Sequence, residues 1–389
     1  MAASQPAPVV TGSIPPPATL GMLGGGQLGR FFVGAAHELG YEVWVLDPDA
    51  DSPAGRIADE HLVAAYDDPA ALDRLVSGCQ AVTTEFENVP AGTLDRLAAA
   101  LPVRPAAAAV AVCQDRIAEK AFLRDHGLPV GPFVVVADEG DARAADPGLF
   151  PAVVKLARLG YDGKGQVGVA SADEAVAAFV DLGRVPCVME RRLVLERELS
   201  VVLARGGDGG TRCFPVAENR HVGGILDTTV VPAGIGPGLR DEAERLAVRI
   251  AEDLGYVGVL AVELFVSEGR LLVNELAPRP HNSGHHTLDA CVTDQFEQQV
   301  RALCGLPLGE PRAHSAAVMV NLLGELWLDR GEPDWAALHG VPGLKVHLYG
   351  KRSARRGRKM GHFTVIGDDR AAVLEAAQGA RAALAVGDG

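Results

Sequence analysis

The chain has 389 residues, 48% hydrophobic and 22% charged, and its 36 Lys and Arg against 50 Asp and Glu give a formal net charge of −14. At ~150 residues per domain it has room for two or three domains with proper cores, and this mixture excludes wholesale disorder and collagen-like or coiled-coil builds. No apolar run reaches the ~18 residues of a membrane span, the acidic balance argues against binding to nucleic acid or anionic membrane, and six scattered cysteines without a Cys-x-x-Cys pair fit a reducing cytoplasm.

Residues 1–19, with Pro15-Pro16-Pro17 and no Lys or Arg, read as a disordered leader. A strand over 18–23 runs into Gly24-Gly25-Gly26-Gln27-Leu28-Gly29, and helical spacing follows over 31–39, closed by Gly40 at the C′ position. Strands over 42–47 and 80–85 complete a β-α-β alternation, which predicts a parallel doubly wound sheet, and Pro102 and Pro105 close this first domain near residue 112. Beyond Gln114, short strands at 152–155, 166–169, 187–190 and 199–203 alternate with glycine turns and predict a mainly antiparallel sheet. A helix at 239–254 precedes a hairpin of 257–266 with 271–276. A third segment starts near Pro307 and ends in an Ala-rich helix from about 369. The predicted divisions are 20–112, 113–306 and 307–389.

Five constellations could carry chemistry. The Gly-x-Gly-x-x-Gly turn at 24–29, with Asp47 18 residues beyond Gly29, has dinucleotide-fingerprint spacing, yet such turns also serve plain phosphate binding or close helix-on-strand packing. Gln27 projects there at a helix N-terminus, where backbone N–H groups favour an anion. Glu263 and Glu275 each interrupt an apolar strand and, across a turn at Glu268-Gly269-Arg270, face one another, an arrangement suited to magnesium beside phosphates. The alternative is two exposed positions on a half-wet sheet. Lys155 ends a strand before the glycine loop Gly160-Tyr161-Asp162-Gly163-Lys164-Gly165-Gln166, which suits gripping a triphosphate or is an ordinary hairpin turn. In 279–286 the i,i+4 pair His281 and His285 raises a zinc site, but Pro280 and Gly284 break any single helix face, so a polar substrate cleft fits better. Finally, 351–359 holds six basic residues in an acidic chain, either solvated charge or a grip on one small phosphorylated metabolite.

Together, from Gly21 to about residue 367, these pieces resemble the 5-(carboxyamino)imidazole ribonucleotide synthase family of the ATP-grasp superfamily. The strings that carry the likeness are 24–30, Thr84-Glu85-Phe86-Glu87-Asn88-Val89-Pro90, 160–166, 254–259, 274–285 and Gly357-Arg358-Lys359-Met360-Gly361-His362. The formate-dependent glycinamide ribonucleotide transformylase looks similar, but tends to carry Glu at Gln27 and Asp at Asn282. The resemblance implies an α/β ATP-grasp fold with a Rossmann-like pre-ATP-grasp domain and a small C-terminal domain. It implies carboxylation of 5-aminoimidazole ribonucleotide with ATP and bicarbonate, through carboxyphosphate, in a cytoplasmic homodimer. Carried over by position, Arg116, Lys155 and the loop Gly160, Tyr161, Asp162, Gly163, Lys164, Gly165 and Gln166 take the ATP phosphates. Glu190, Arg191, Arg192 and Leu193 form the adenine hinge, Glu198 holds ribose, and His221 and Asn274 lie close by. Glu263 and Glu275 bind Mg²⁺ and, with Lys155 and Arg279, are the catalytic set. Gln27, Leu28, Glu85, Tyr161, Asp162, Arg279, His281, Asn282, Ser283, Lys351, Arg358 and Lys359 surround the ribonucleotide. Leu159 departs from the family, which often has glycine there. A nicotinamide oxidoreductase built on the glycine turn, and a nucleotide-sensing scaffold without turnover, are the competing readings.

Overall fold

The computed structural model describes residues 12–160, 164–331 and 333–385. Near the N-terminus, β1 (Thr19–Leu23), β2 (Glu42–Leu46), β3 (Glu60–Leu62) and β4 (Ala81–Thr84) form a sheet in the order β3-β2-β1-β4, every pair parallel. This is the doubly wound arrangement that the β-α-β alternation predicts. Its first crossover, α1 (Gln27–Glu38), begins inside the glycine turn, and Gly40 takes φ 84 just past its end. Residues 12–18 do not behave as a disordered leader. Ile14 donates its N–H to Cys304 O at 2.8 Å, accepts from the Tyr41 hydroxyl at 2.6 Å, and packs on the core under α1. The apolar Ile14 supplies the anchor that the proline composition conceals.

The antiparallel part is two sheets rather than one. Strands β5 (Phe133–Val136), β6 (Ala152–Leu156), β7 (Gln166–Val169) and β8 (Cys187–Arg191) pair in the order β5-β8-β6-β7. The chain then enters a nine-stranded sheet: β9 (Arg197–Arg205), β10 (Thr211–Cys213), β11 (Ala217–Val222), β12 (Ile225–Val231), β13 (Gly258–Ser267), β14 (Arg270–Ala277), β15 (Ala316–Leu323), β16 (Leu344–Leu348) and β17 (Lys359–Gly367). The order is β14-β13-β9-β11-β12-β15-β17-β16, with β10 on β9. Thus β12 pairs β15 across the predicted boundary at 306, and the third segment extends the central sheet instead of standing apart. The helix Gln295–Cys304 joins the N-terminal unit to this body, since Phe296, Val300 and Leu303 share a buried cluster with Phe32 and Val33 of α1.

Candidate active site

The hairpin of β13 and β14 positions the two carboxylates. Glu268 and Gly269 take φ 51 and 68 in the two-residue turn, which fixes the register from Ser267 against Arg270. A bulge between the turn and the carboxylates leaves Asn274 as the extra residue, and this offset brings Glu263 directly opposite Glu275. Asn274 Nδ2 donates to Glu263 Oε2 at 3.1 Å, and His281 Nε2 stands 3.4 Å from Glu263 Oε1. Burial, reinforced by the charge of Glu275, holds the Glu263 carboxyl above its usual range. Burial, then the charge of Arg279, pushes His281 well below the ordinary histidine value, so this imidazole is neutral.

Cations meet these carboxylates from one helix. Asp115 caps Arg116–Asp125 through Ile117 N at 2.9 Å, and Arg116 Nη1 donates to Glu275 Oε2 at 2.9 Å. Against the effect of burial, Glu275 and Glu119 hold the Arg116 guanidinium firmly protonated. Lys120, three to four residues on with Glu119, is fully buried. Its Nζ donates to Asn274 O at 2.9 Å and pairs with Glu190 Oε2 at 3.0 Å, while Lys155 Nζ pairs with Glu190 Oε1 at 2.8 Å. Burial alone would raise the Glu190 carboxyl, yet the two ammonium groups hold it down at about 2. Lys120 therefore ties the small sheet, through Glu190 and Lys155, to the hairpin that carries Glu263 and Glu275. Glu119 accepts from Leu276 N at 2.9 Å, and burial with the nearby Glu275 charge raises it to about 8.

The glycine turn is spent internally. Gly26 N and Gly29 N donate to the two oxygens of Glu85, the latter at 2.6 Å, and Gly25 N and the Tyr66 hydroxyl donate to Asp47 Oδ2 at 2.7 Å. A Cβ at Gly26 would stand 2.5 Å from Glu85 Oε1, so glycine is needed for the approach of a carboxylate belonging to the chain itself. The helix N-terminus that would take a dinucleotide pyrophosphate is thus already capped by an anion, and the nicotinamide reading falls.

One cavity of about 840 Å³ collects most of the expected residues: Gln27, Leu28, Glu85, Arg116, Lys155, Gly160, Lys164, Gly165, Gln166, Glu198, His221, Glu263, Asn274, Glu275, Arg279, His281, Asn282, Lys351, Arg358 and Lys359. Tyr161, Asp162 and Gly163 lie outside the described residues. Glu198 Oε2 stands 2.5 Å from His221 Nδ1, and despite burial this contact raises the His221 value. Arg358 Nη1 donates to Ser353 O at 2.7 Å and Lys351 Nζ to Lys359 O at 2.7 Å, which folds the basic segment upon itself, while Arg352 and Arg356 pair with Asp51 and Asp329.

Other expected residues stand apart from the wall. Ser283 is fully buried and bonded to Ser200 and His281. Glu190, Arg191, Arg192 and Leu193 do not border the cavity, and the amides of Arg191 and Arg192 donate to Pro132 O and Pro151 O. Asn282 borders it, but its amide is locked with Asn321 in two bonds of 3.0 and 2.6 Å. Sequence reasoning missed Lys120, Glu119, Glu87 and the apolar wall of Leu195, Ile225, Leu226 and Phe265, while Arg355 and Arg356 of the basic cluster 351–359 also border the cavity. Three of the missed residues had a signal, though for Lys120 it is only a helical spacing that a solvated lysine shares. Glu119 and Lys120 follow Arg116 at i+3 and i+4, and Glu87 follows Glu85 at period two, where it pairs with Arg279 Nε at 2.6 Å.

Comparison with known proteins agrees part by part. The chain matches the ribonucleotide synthetase preATP-grasp domain over residues 18–114, the ATP-grasp domain over 121–296 and the phosphoribosylaminoimidazole carboxylase C-terminal domain over 317–376. The N5-carboxyaminoimidazole ribonucleotide synthase of Brucella melitensis is 45% identical over 364 residues, spanning 91% of this chain and 98% of the relative. The chain belongs to the N5-carboxyaminoimidazole ribonucleotide synthase family. A synthetase of this name from Staphylococcus aureus, solved with ADP, superposes with a TM-score of 0.89 at 36% identity, covering 96% of this chain and 98% of that one. The N5-carboxyaminoimidazole synthase of Aspergillus clavatus, in complex with ADP and 5-aminoimidazole ribonucleotide, gives 0.87 at 27% identity over 95% and 99% of the two chains. The fold is the α/β ATP-grasp fold with its preATP-grasp and C-terminal domains. N5-carboxyaminoimidazole ribonucleotide synthases are ATP-grasp ligases, and membership assigns the chain ATP-dependent carboxylation of 5-aminoimidazole ribonucleotide in purine biosynthesis.

Proposed function

We propose that the cavity holds ATP, bicarbonate and 5-aminoimidazole ribonucleotide together and carboxylates the ribonucleotide through carboxyphosphate. The charge pattern supports this most: among its described lining residues, nine are basic against five carboxylates, in a chain whose net charge is −14. Such a cavity suits two polyanions. Arg116 and Lys155 take the triphosphate, and Lys351, Arg358 and Lys359 take the 5′-phosphate of the ribonucleotide. The apolar wall of Leu195, Ile225, Leu226 and Phe265 offers a face for the adenine ring, and Glu198, which lines the same cavity, would hold the ribose hydroxyls.

Glu263 and Glu275 with Asn274 present hard oxygen donors from two opposed strands, the donor set a magnesium ion takes, and a raised carboxyl at Glu263 calls for a nearby cation. When bound, magnesium would neutralise charge on the transferring phosphoryl group.

A bicarbonate oxygen attacks the γ-phosphorus, the bond to the bridging oxygen breaks, and ADP leaves with that electron pair. The exocyclic amine of the ribonucleotide then bonds to the carboxyl carbon, directly or after CO₂ is released within the site. Phosphate departs with the electron pair of the carbon–oxygen bond, and the amine gives up one proton. Lys155 and Arg116, already beside carboxylates, exchange those partners for phosphate oxygens. Closure of the 160–166 loop would keep water from the intermediate. The neutral Gln27 amide and His281 imidazole suit a weakly basic aromatic amine better than an ammonium, which prefers a carboxylate. The reading takes the enzyme as a cytoplasmic homodimer, which sedimentation and cell fractionation test. Among the described residues no helix is long and apolar enough to cross a membrane.

Bicarbonate labelled with oxygen-18 tests the route. One label per turnover should appear in inorganic phosphate, and unlabelled phosphate during normal ligation would overturn the carboxyphosphate step.

A further inference from the structure

A second cluster of ligating side chains lies outside the cavity. His347 on β16 and His362 on β17 are register partners, their rings stacked with centroids 4.7 Å apart and 20° between planes. Asp289, in the short helix Thr287–Ala290, reaches them from the other side, and its Oδ2 stands 2.9 Å from His347 Nε2. One ligand atom from each of the three falls within 4.8 Å of the others. The Asp289 side chain is 2% exposed, and His362 is fully buried.

His362 completes the chemistry of the group. Its Nδ1 is 2.9 Å from the Tyr349 hydroxyl, which fixes the ring, whereas its Nε2 is buried without a hydrogen-bond partner. Leaving such a nitrogen unsatisfied is costly. Burial, then the neighbouring His285, pushes His362 well below the usual histidine range, so the ring is neutral and keeps a lone pair. Phe31 of α1 stands 5.9 Å from the His347 ring and 6.0 Å from that of His362, closing the cluster with an apolar wall. Among the described residues a competing cation is Lys345, whose Nζ lies 3.5 Å from Asp289 Oδ1 on a side chain 57% exposed, able to turn to solvent.

We propose that Asp289, His347 and His362 form a site for a divalent transition cation of the zinc class, distinct from the all-oxygen Glu263/Glu275 pair. Two imidazoles and a carboxylate with an open fourth position are a donor set zinc accepts, at about 2.0–2.2 Å per ligand. Side-chain rotation would draw the three ligand atoms together, with the Tyr349 contact orienting His362. The ion would tie β16 and β17 to the helix Thr287–Ala290. Since Lys351 follows His347 by four residues and Lys359 precedes His362 by three, it would also anchor both ends of the basic segment.

Calorimetric titration of the full-length, chelator-stripped enzyme with zinc, in saturating magnesium, tests this. Wild type should bind one zinc per chain, His347→Gln and Asp289→Asn should each weaken it at least ~10-fold, and His314→Gln and Glu263→Gln should leave it unchanged. Native circular dichroism for each variant guards against misfolding, and cobalt should give ligand-field bands in wild type that both cluster variants lose. Absence of zinc binding in wild type, or equal affinity in the well-folded cluster variants, would overturn the site.

Discussion

Two places in this molecule set carboxylates beside apparent phosphate machinery, and they do opposite things. At the glycine turn, Glu85 and Asp47 absorb the N–H donors of Gly25, Gly26 and Gly29, so the helix N-terminus is closed by its own chain. At the β13–β14 hairpin, Glu263 and Glu275 face the cavity, with cations around them. Local sequence pattern makes the first look like a nucleotide site. The difference lies in where the donors and charges are spent, which only long-range contacts decide: Glu85 is 59 residues from Gly26, and Arg116 is 159 from Glu275.

The sharpest break of this comparison is at the hairpin. Glu275→Gln should lower ADP formation by at least ~10³-fold with an unchanged unfolding profile, because a neutral amide cannot offset the charge of a metal and phosphates. Near-normal turnover would move the metal elsewhere. Next comes Lys120→Met, which strips one partner from a buried ion triad and should cost about 3 kcal/mol in denaturant unfolding. The low value of Glu190, near 2 against an ordinary 4.5, contributes stability that is present above 4.5 and lost as pH falls through about 2. Without Lys120 that loss should begin nearer 4.5, so the acid-unfolding midpoint should rise, and KM for ATP should increase as Glu190, which holds Lys155, loses its tie to the hairpin.

Smaller effects sharpen the contrast. Arg358→Ala should raise KM for the ribonucleotide by ~10- to 100-fold and KM for ATP far less, for the loss of a charged hydrogen bond of ~1.5–3 kcal/mol. Equal loss for both substrates would contradict the phosphate grip. Glu85→Gln leaves one helix N–H facing an amide NH₂ group and should cost ~1–2 kcal/mol of stability without creating affinity for a nicotinamide dinucleotide. Tight dinucleotide binding would mean the turn was never closed.

How much was legible follows the same division. The hairpin carboxylates were readable because each interrupts an apolar strand, and a three-residue turn at 268–270 gives the same offset that the two-residue turn and the bulge at Asn274 together produce. Lys155 and the 351–359 cluster were readable because charge stands out in apolar or acidic surroundings. Lys120 was not, since a lysine in a polar helix looks solvated until the small sheet and the hairpin close over it. Asn282 looked like a substrate contact, yet Asn321, 39 residues away, holds its amide. The break between β8 and β9 was hidden because both sheets are antiparallel and Gly-punctuated. The order of residues 12–18 was hidden because composition weighs prolines and overlooks a single isoleucine packed against a buried cluster.

The central claim is that this cavity couples ATP cleavage to carboxylation of 5-aminoimidazole ribonucleotide. ADP release measured with each substrate omitted in turn tests it most directly. Release should require bicarbonate and 5-aminoimidazole ribonucleotide jointly, and glycinamide ribonucleotide with formate should give no detectable activity. ADP formed at a comparable kcat/KM from formate and glycinamide ribonucleotide, or without any ribonucleotide, would contradict it.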